Sequence, residues 1–268
     1  MPIKRLMGNG SRPALPTLGK LHKGQAKEDV QGKGFPKELD HFRFSGATPE
    51  VQEAFVAAYG QAPRSLQVYF PYPDAGRNFG NWVELWDGAG RLVWRGDGEY
   101  LVAWRDERGG YVSDPRSAEK RPQPQGDAAK GAKCYGRLSV ILPELWEAGH
   151  VGLVTLVTTS VYDILHLNTV LEEVVLERQA AGSDKGLMGV GFTLSRVQET
   201  INTTDARGAK GRSAHWLVKI APTAEYLIAR LQALKTEAIA GYGAGGALLV
   251  GRVESTAQEP EWEEDGAE

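Results

Sequence analysis

Cys134–Leu176, CYGRLSVILPELWEAGHVGLVTLVTTSVYDILHLNTVLEEVVL, is the stretch that decides the fold. Arg137 to Leu142 reads as a strand that Pro143 ends; a turn through Glu147 to Gly149 follows, and Val151 to Thr158 reads as the partner strand. Ser160 then offers a hydroxyl N-cap, with Asp163 three residues on in a variant of the capping box. Val161, Ile164, Leu165, Leu171 and Val175 recur at three- and four-residue steps, which predicts an amphipathic helix with Asp163, Glu172, Glu173 and Glu177 facing away. A hairpin feeding a capped helix points to an α+β fold.

Upstream of this block the signals are mostly β. His41 to Phe44 looks like a strand start, and Thr48-Pro49-Glu50 carries an N-cap, a first-position proline and an acid for the positive helix end. Val51, Ala54, Phe55 and Ala58 give that helix its apolar face, and Gly60 closes it. Strands are then expected at Leu66 to Phe70, Trp82 to Trp86, Arg91 to Arg95 and Tyr100 to Trp104, with a turn at Asp87 to Gly90. Residues 105–133 lack periodicity and are rich in Pro, Gly and charge, which predicts a long mobile loop. Downstream, two alternating runs, Phe192 to Ser195 and His215 to Ile220, flank a polar loop over Glu199 to Arg212, so the unit reads as a long hairpin with a basic tip. Pro222 and Thr223 start a last helix whose Leu227, Ile228, Leu231 and Leu234 are expected to form a core stripe. The expected architecture is mainly antiparallel sheet with three to four packed helices and a long flexible loop. Three segments follow: a basic extended arm over residues 1–40, an α+β domain over 41–240, and a Gly-rich then acidic tail over 241–268.

Composition narrows the classes. A chain of 268 residues with 41% hydrophobic residues can bury a substantial core. The net charge of −3 conceals a polarity: residues 1–43 hold nine Lys/Arg against four Asp/Glu, and from Glu254 to the end there are seven acids and no base. A basic segment can approach phosphates or an acidic protein, whereas an acidic tail favours solubility or mimics a polyanion. The single cysteine, Cys134, excludes a disulfide framework and any multi-cysteine zinc module, and fits a reducing cytoplasm. Val151 to Val161 is the longest apolar run and is too short to span a bilayer, and the N-terminus shows no secretion signal.

No motif carries a clear catalytic constellation. Gly241 to Gly246 follows a helix rather than a strand, which is the wrong context for a dinucleotide loop, and Gly32 to Glu38 lacks Walker spacing. His22, His41, His150, His166 and His215 are scattered singly, so no metal centre is expected. Asp97 and Glu99 in RGDGE could pair as acid and base, but ordinary Gly/Asp turn chemistry explains them better. Trp82, Trp86, Trp94 and Trp104 fit sheet packing; the competing reading, a base-stacking platform, requires exposed rings. The residues expected to contact nucleic acid or a protein partner are the basic ones: Lys4, Arg5, Arg12, Lys20 and Lys23 in the arm, and Arg207, Lys210 and Arg212 at the hairpin tip.

Several ordered segments together resemble the recombination directionality factor-like family, accessory proteins of phage serine integrases. They are LGKLHKG at Leu18 to Gly24, GFPKELDHFRF at Gly34 to Phe44, the Thr48 helix ending at Tyr59-Gly60, and RGDGE at Arg95 to Glu99. KCYGRLSVILPEL at Lys133 to Leu145, GLVTLVTTSVYDILHLN at Gly152 to Asn168 and HWLVKI at His215 to Ile220 complete the set. The resemblance implies a cytoplasmic, non-enzymatic phage or mobile-element protein without cofactor or membrane contact. Its implied partner is a serine integrase bound to DNA, which it would bias toward excision. Direct nucleic-acid contact is left open, and the alternative is a single-stranded DNA-binding or annealing protein of a mobile element. Relatives often carry several cysteines between the RGDGE turn and the GRL strand, suggestive of a metal site; this chain keeps Cys134 alone. Metal-dependent hydrolysis around Asp97, Glu99 and His150 ranks third.

Overall fold

A computed structural model describes residues 15–25, 38–105, 109–112, 121–204 and 210–244. Eleven strands lie among them. The first six are β1 (Thr17–Gly24), β2 (Glu38–Gly46), β3 (Ser65–Val68), β4 (Phe79–Trp86), β5 (Leu92–Gly96) and β6 (Leu101–Arg105). The others are β7 (Tyr111–Val112), β8 (Lys133–Val140), β9 (Leu153–Thr158), β10 (Phe192–Thr204) and β11 (Lys210–Pro222). The α-helices are α1 (Pro49–Tyr59), α2 (Ala75–Asn78), α3 (Pro143–Glu147), α4 (Val161–Ala180) and α5 (Ala224–Ala244). The chain divides into two units, Met1–Tyr226 and Leu227–Glu268.

The first unit is built on two sheets. Eight strands run in the order β2-β1-β9-β8-β4-β5-β6-β7, and three in the order β11-β10-β3. Every pairing is antiparallel except β1 with β9, so the expected α+β class with mainly antiparallel sheet holds. A two-residue bridge, Tyr69 with Ile141, ties the end of β3 to the end of β8.

One face of the larger sheet is the core. Phe42, Phe44, Leu21, Val154, Leu156, Leu138, Val140 and Phe79 line it, and all are at most 5% exposed. Fully burying such side chains is worth about 1.5–3 kcal/mol each. Phe55 of α1 stacks on Phe44 with ring centroids 4.2 Å apart, and Phe192 of β10 meets Phe70 edge to face at 5.1 Å. Ile164 of α4 reaches the same layer, for a Cβ built on Gly136 of β8 would lie 2.6 Å from Phe79 and 3.0 Å from Ile164. Thus α1, the smaller sheet and α4 all cover this face.

The opening stretch folds largely as read. Ser160 accepts from the Asp163 amide as the α4 cap, and Thr48 caps α1 by accepting from Val51. Three details differ. A short helix, α3, stands between Pro143 and the turn, because Pro143 suits a first helical position as well as it ends a strand. The inward residues of α4 are Asp163, Ile164, Leu167, Leu171 and Val174, whereas Val161 and Leu165 are 51% and 59% exposed. Asp163 therefore points in, because it satisfies groups on three strands, β1, β9 and β11.

Other expectations shift for tertiary reasons. Thr17–Gly24, inside the stretch read as an arm, is strand β1, and its parallel pairing with β9 leaves no local sequence signal. Glu199 to Arg212, read as a polar loop, is mostly ladder, since β10 and β11 pair from Phe192 with Pro222 to Thr204 with Lys210. The expected loop over 105–133 contains β7, a bridge of Tyr100 with Pro122 and a 3₁₀ turn at Gly126–Ala129; residues 106–108 and 113–120 lie outside those described. Leu227, Ile228, Leu231 and Leu234 of α5, expected as a core stripe, are 44–59% exposed. Helical spacing specifies an apolar face, not the surface that covers it.

Candidate nucleic-acid and partner interface

The second face of the larger sheet is where charge collects. Pairing register places Ser45, Lys20, Thr155 and Ser139 in one row across β2, β1, β9 and β8. Arg43 lies opposite His22 in the next row, and Val157 opposite Arg137, which itself faces Gly80 of β4. Tyr135 then pairs with Trp82, and Lys133, Glu84 and Arg95 follow across β8, β4 and β5. Because side chains alternate along a strand, these positions point away from Gly136, Leu138 and the core.

This face is strongly positive. Lys20, Lys133, Arg137 and Val157 are exposed, and Arg43, His22, Tyr135 and Trp82 are half-buried. Glu84 is the acid of these rows and is already committed, at 2.7 Å from Arg95 and within 3.0 Å of the Trp86 indole N–H. Arg43 has a buried Nε with no hydrogen-bond partner, an orphan donor of a kind native proteins rarely keep. The His22 imidazole responds to these surroundings: burial first, then the Arg43 and Lys20 cations, hold its pKa below the ordinary value.

Trp82 sits at the middle of the face. Three indole atoms lie 3.4–3.7 Å from where a Cβ on Gly80 would be, so the absence of a side chain there lets the ring lie along the sheet. The Arg95 guanidinium stands 5.6 Å from a Trp82 ring centroid. Trp94 and Trp104 point the other way, pair across β5 and β6, and are 5% and 9% exposed, so they serve packing.

The sequence-predicted basic residues are distributed unevenly. Lys20 belongs to the open face, where reading by sequence missed Arg43, Lys133 and Arg137 because register alone brings them together. Lys23, one residue out of phase with His22, points inward: its ammonium lies 2.8 Å from Asp163 Oδ2 and 2.7 Å from the Thr158 hydroxyl. Arg212 is exposed on β11, and Lys210 opens that strand. Lys4, Arg5, Arg12 and Arg207 lie outside the described residues.

Lys23 is part of a buried clamp. Asp163, fully buried, also accepts from Thr158 at 2.7 Å and from the Val218 amide at 3.0 Å. Arg196 of β10, 4% exposed, donates to the carbonyls of Leu39 and Lys23, so it ties the two strand ends that flank residues 25–37. Along the outer edge of β11, alternate amides are taken by side chains: Trp216 by Glu38, Val218 by Asp163 and Ile220 by His166. Such capping blunts an edge that could otherwise recruit another strand.

The weaker chemical candidates resolve into structure. Asp97 accepts from the amides of Glu99 and Tyr100, with Gly98 at φ 112°, which is a side-chain-stabilised turn. Cys134 is half-buried against the core. Among the described residues, no three His, Cys, Asp or Glu side chains converge as metal ligands, and no helix is long and apolar enough to cross a membrane.

Residues 18–222, from the second residue of β1 to the last of β11, match the family described as recombination directionality factor-like. The chain belongs to that family. No curated protein and no solved structure matches it. In this recombination directionality factor-like chain the matched span takes in both sheets, the clamp and the whole open face, and stops before α5.

Proposed function

We propose that this protein is a non-enzymatic phage or mobile-element accessory factor that binds a serine integrase on DNA and biases site-specific recombination toward excision. The family match across residues 18–222 carries this reading. A binding protein of this kind shifts a recombinase between two synaptic states only by its differential affinity for them. Moving such an equilibrium from 1:99 to 99:1 takes about a 10⁴-fold preference for the favoured state. The contact surfaces assigned to it are the basic N-terminal segment with Lys4, Arg5 and Arg12, continued by Lys20 on β1, and the β10–β11 ribbon with Arg207, Lys210 and Arg212; Lys23 supports β1 from inside through Asp163.

The test is reconstitution with the serine integrase encoded beside it. Added protein is expected to switch on recombination between the attL and attR sites and to suppress recombination between attP and attB. Unchanged yields in both reactions at saturating protein would refute the proposal.

A further inference from the structure

The open sheet face combines exposed cations with an aromatic ring lying along the strands. Lys20, Lys133 and Arg137 are exposed there and, among the described residues, paired with no carboxylate, while Arg43 keeps a buried donor unused. Across β8 and β4, Tyr135 and Trp82 stand directly opposite one another between Arg137 and Lys133. Cations spaced along strands about 4.8 Å apart suit a flexible anionic backbone, and ring faces between them suit unpaired bases.

We propose that this face binds single-stranded nucleic acid, with Lys20, Arg43, Lys133 and Arg137 on phosphates and Trp82 and Tyr135 stacking bases. A duplex hides the faces of its bases, so it would use the cations and leave the aromatic pair idle. The ligand is additional to the integrase and does not depend on the accessory role. His22, held between Arg43 and Lys20, reports on occupancy, because a phosphate placed beside it offsets the two cations and favours its protonated form.

The experiment is fluorescence anisotropy of a labelled 20-nucleotide oligo-dT with the full chain across a salt series. Four phosphate contacts on a single strand predict a log–log salt slope of about −2.8, equivalent to roughly 50-fold weaker binding between 50 and 200 mM salt. Lys133→Ala with Arg137→Ala should reduce the slope by about 1.4. Trp82→Leu should weaken binding about tenfold while leaving the slope unchanged, as expected for loss of a stacked base. Should Trp82→Leu disturb folding, proton NMR of His22 in the unaltered protein decides instead: its pKa must rise when the oligonucleotide is added. No binding at 50 mM salt overturns the proposal. So does a duplex of equal length binding as tightly with no effect of Trp82→Leu, or loss of integrase binding through Lys133→Ala and Arg137→Ala in a protein that ignores oligonucleotides. Oligonucleotide binding lost in that double variant, with recombination reversal intact, separates this site from the accessory role.

Discussion

Removing the Asp163 carboxylate should be among the costliest single changes in the protein. Asp163 is completely buried, and its two oxygens serve the Lys23 ammonium at 2.8 Å, the Thr158 hydroxyl at 2.7 Å and the Val218 amide at 3.0 Å. Asp163→Ala leaves the Val218 N–H without its partner, and strands a lysine that can only partly reach water, its side chain being 26% exposed. Breaking a buried pair by deleting one partner costs about 3–5 kcal/mol, a large share of the ~5–15 kcal/mol that holds a typical domain together. With a urea m-value of about 2–3 kcal/mol/M, the midpoint should fall by roughly 1–2 M. Asp163→Asn keeps an acceptor for Val218 and loses the charge facing Lys23, so its midpoint should lie between those of the wild type and the alanine variant. Urea denaturation followed by tryptophan fluorescence reads both. Lys23→Ala, alone and combined with Asp163→Ala, should show a coupling of about 0.5–3 kcal/mol between the two positions. A midpoint shift below about 0.3 M for Asp163→Ala at unchanged m, or additive single and double variants, would refute the clamp as described.

Four further outcomes are expected. Burial, followed by the nearby Lys219 cation, lowers the His166 pKa, so the fold prefers the neutral ring that accepts from the Ile220 amide. Its stabilising effect is then complete above the unfolded value near 6.5 and is lost as pH falls through the lower folded value. Denaturation midpoints should therefore drop on acidification, less steeply in His166→Gln, and equal slopes in the two proteins would disprove the link. Gly136→Ala should cost about 1–3 kcal/mol in urea denaturation, since its Cβ would lie 2.6 Å from the Phe79 ring within packed core. Ser160→Ala removes the α4 cap and should cost about 1 kcal/mol by the same measurement. Leu231→Ser, at a position 59% exposed, should change stability by less than about 0.5 kcal/mol, and a larger loss would mean that the α5 face is covered in solution.

Much of the fold and little of the candidate site was legible in the sequence, and the division has a consistent cause. The caps at Thr48 and Ser160, the Asp97 turn and the β10–β11 hairpin are local: each depends on residues within a few positions or on two strands adjacent in the chain. The open face instead collects Lys20 from β1, Arg43 from β2, Arg137 from β8 and Trp82 from β4. Nothing in the spacing of these residues marks them as neighbours. Lys20 and Lys23 sit three residues apart in one strand and look alike in the sequence, yet alternation sends one to the open face and the other to Asp163.

By itself, then, the sequence determined the α+β class, the helix caps, the capped α4 helix after its hairpin and membership signals spread from Leu18 to Ile220. Tertiary structure decided which face each strand turns to the core, that β1 runs parallel to β9, and that Asp163 points inward. Local propensity and hydrogen-bonding chemistry act over one or two turns and can be read from neighbouring residues. Register, edge coverage and the company a charge keeps arise from pairing residues more than a hundred positions apart, as Lys23 and Asp163 show, and only the folded chain brings them together.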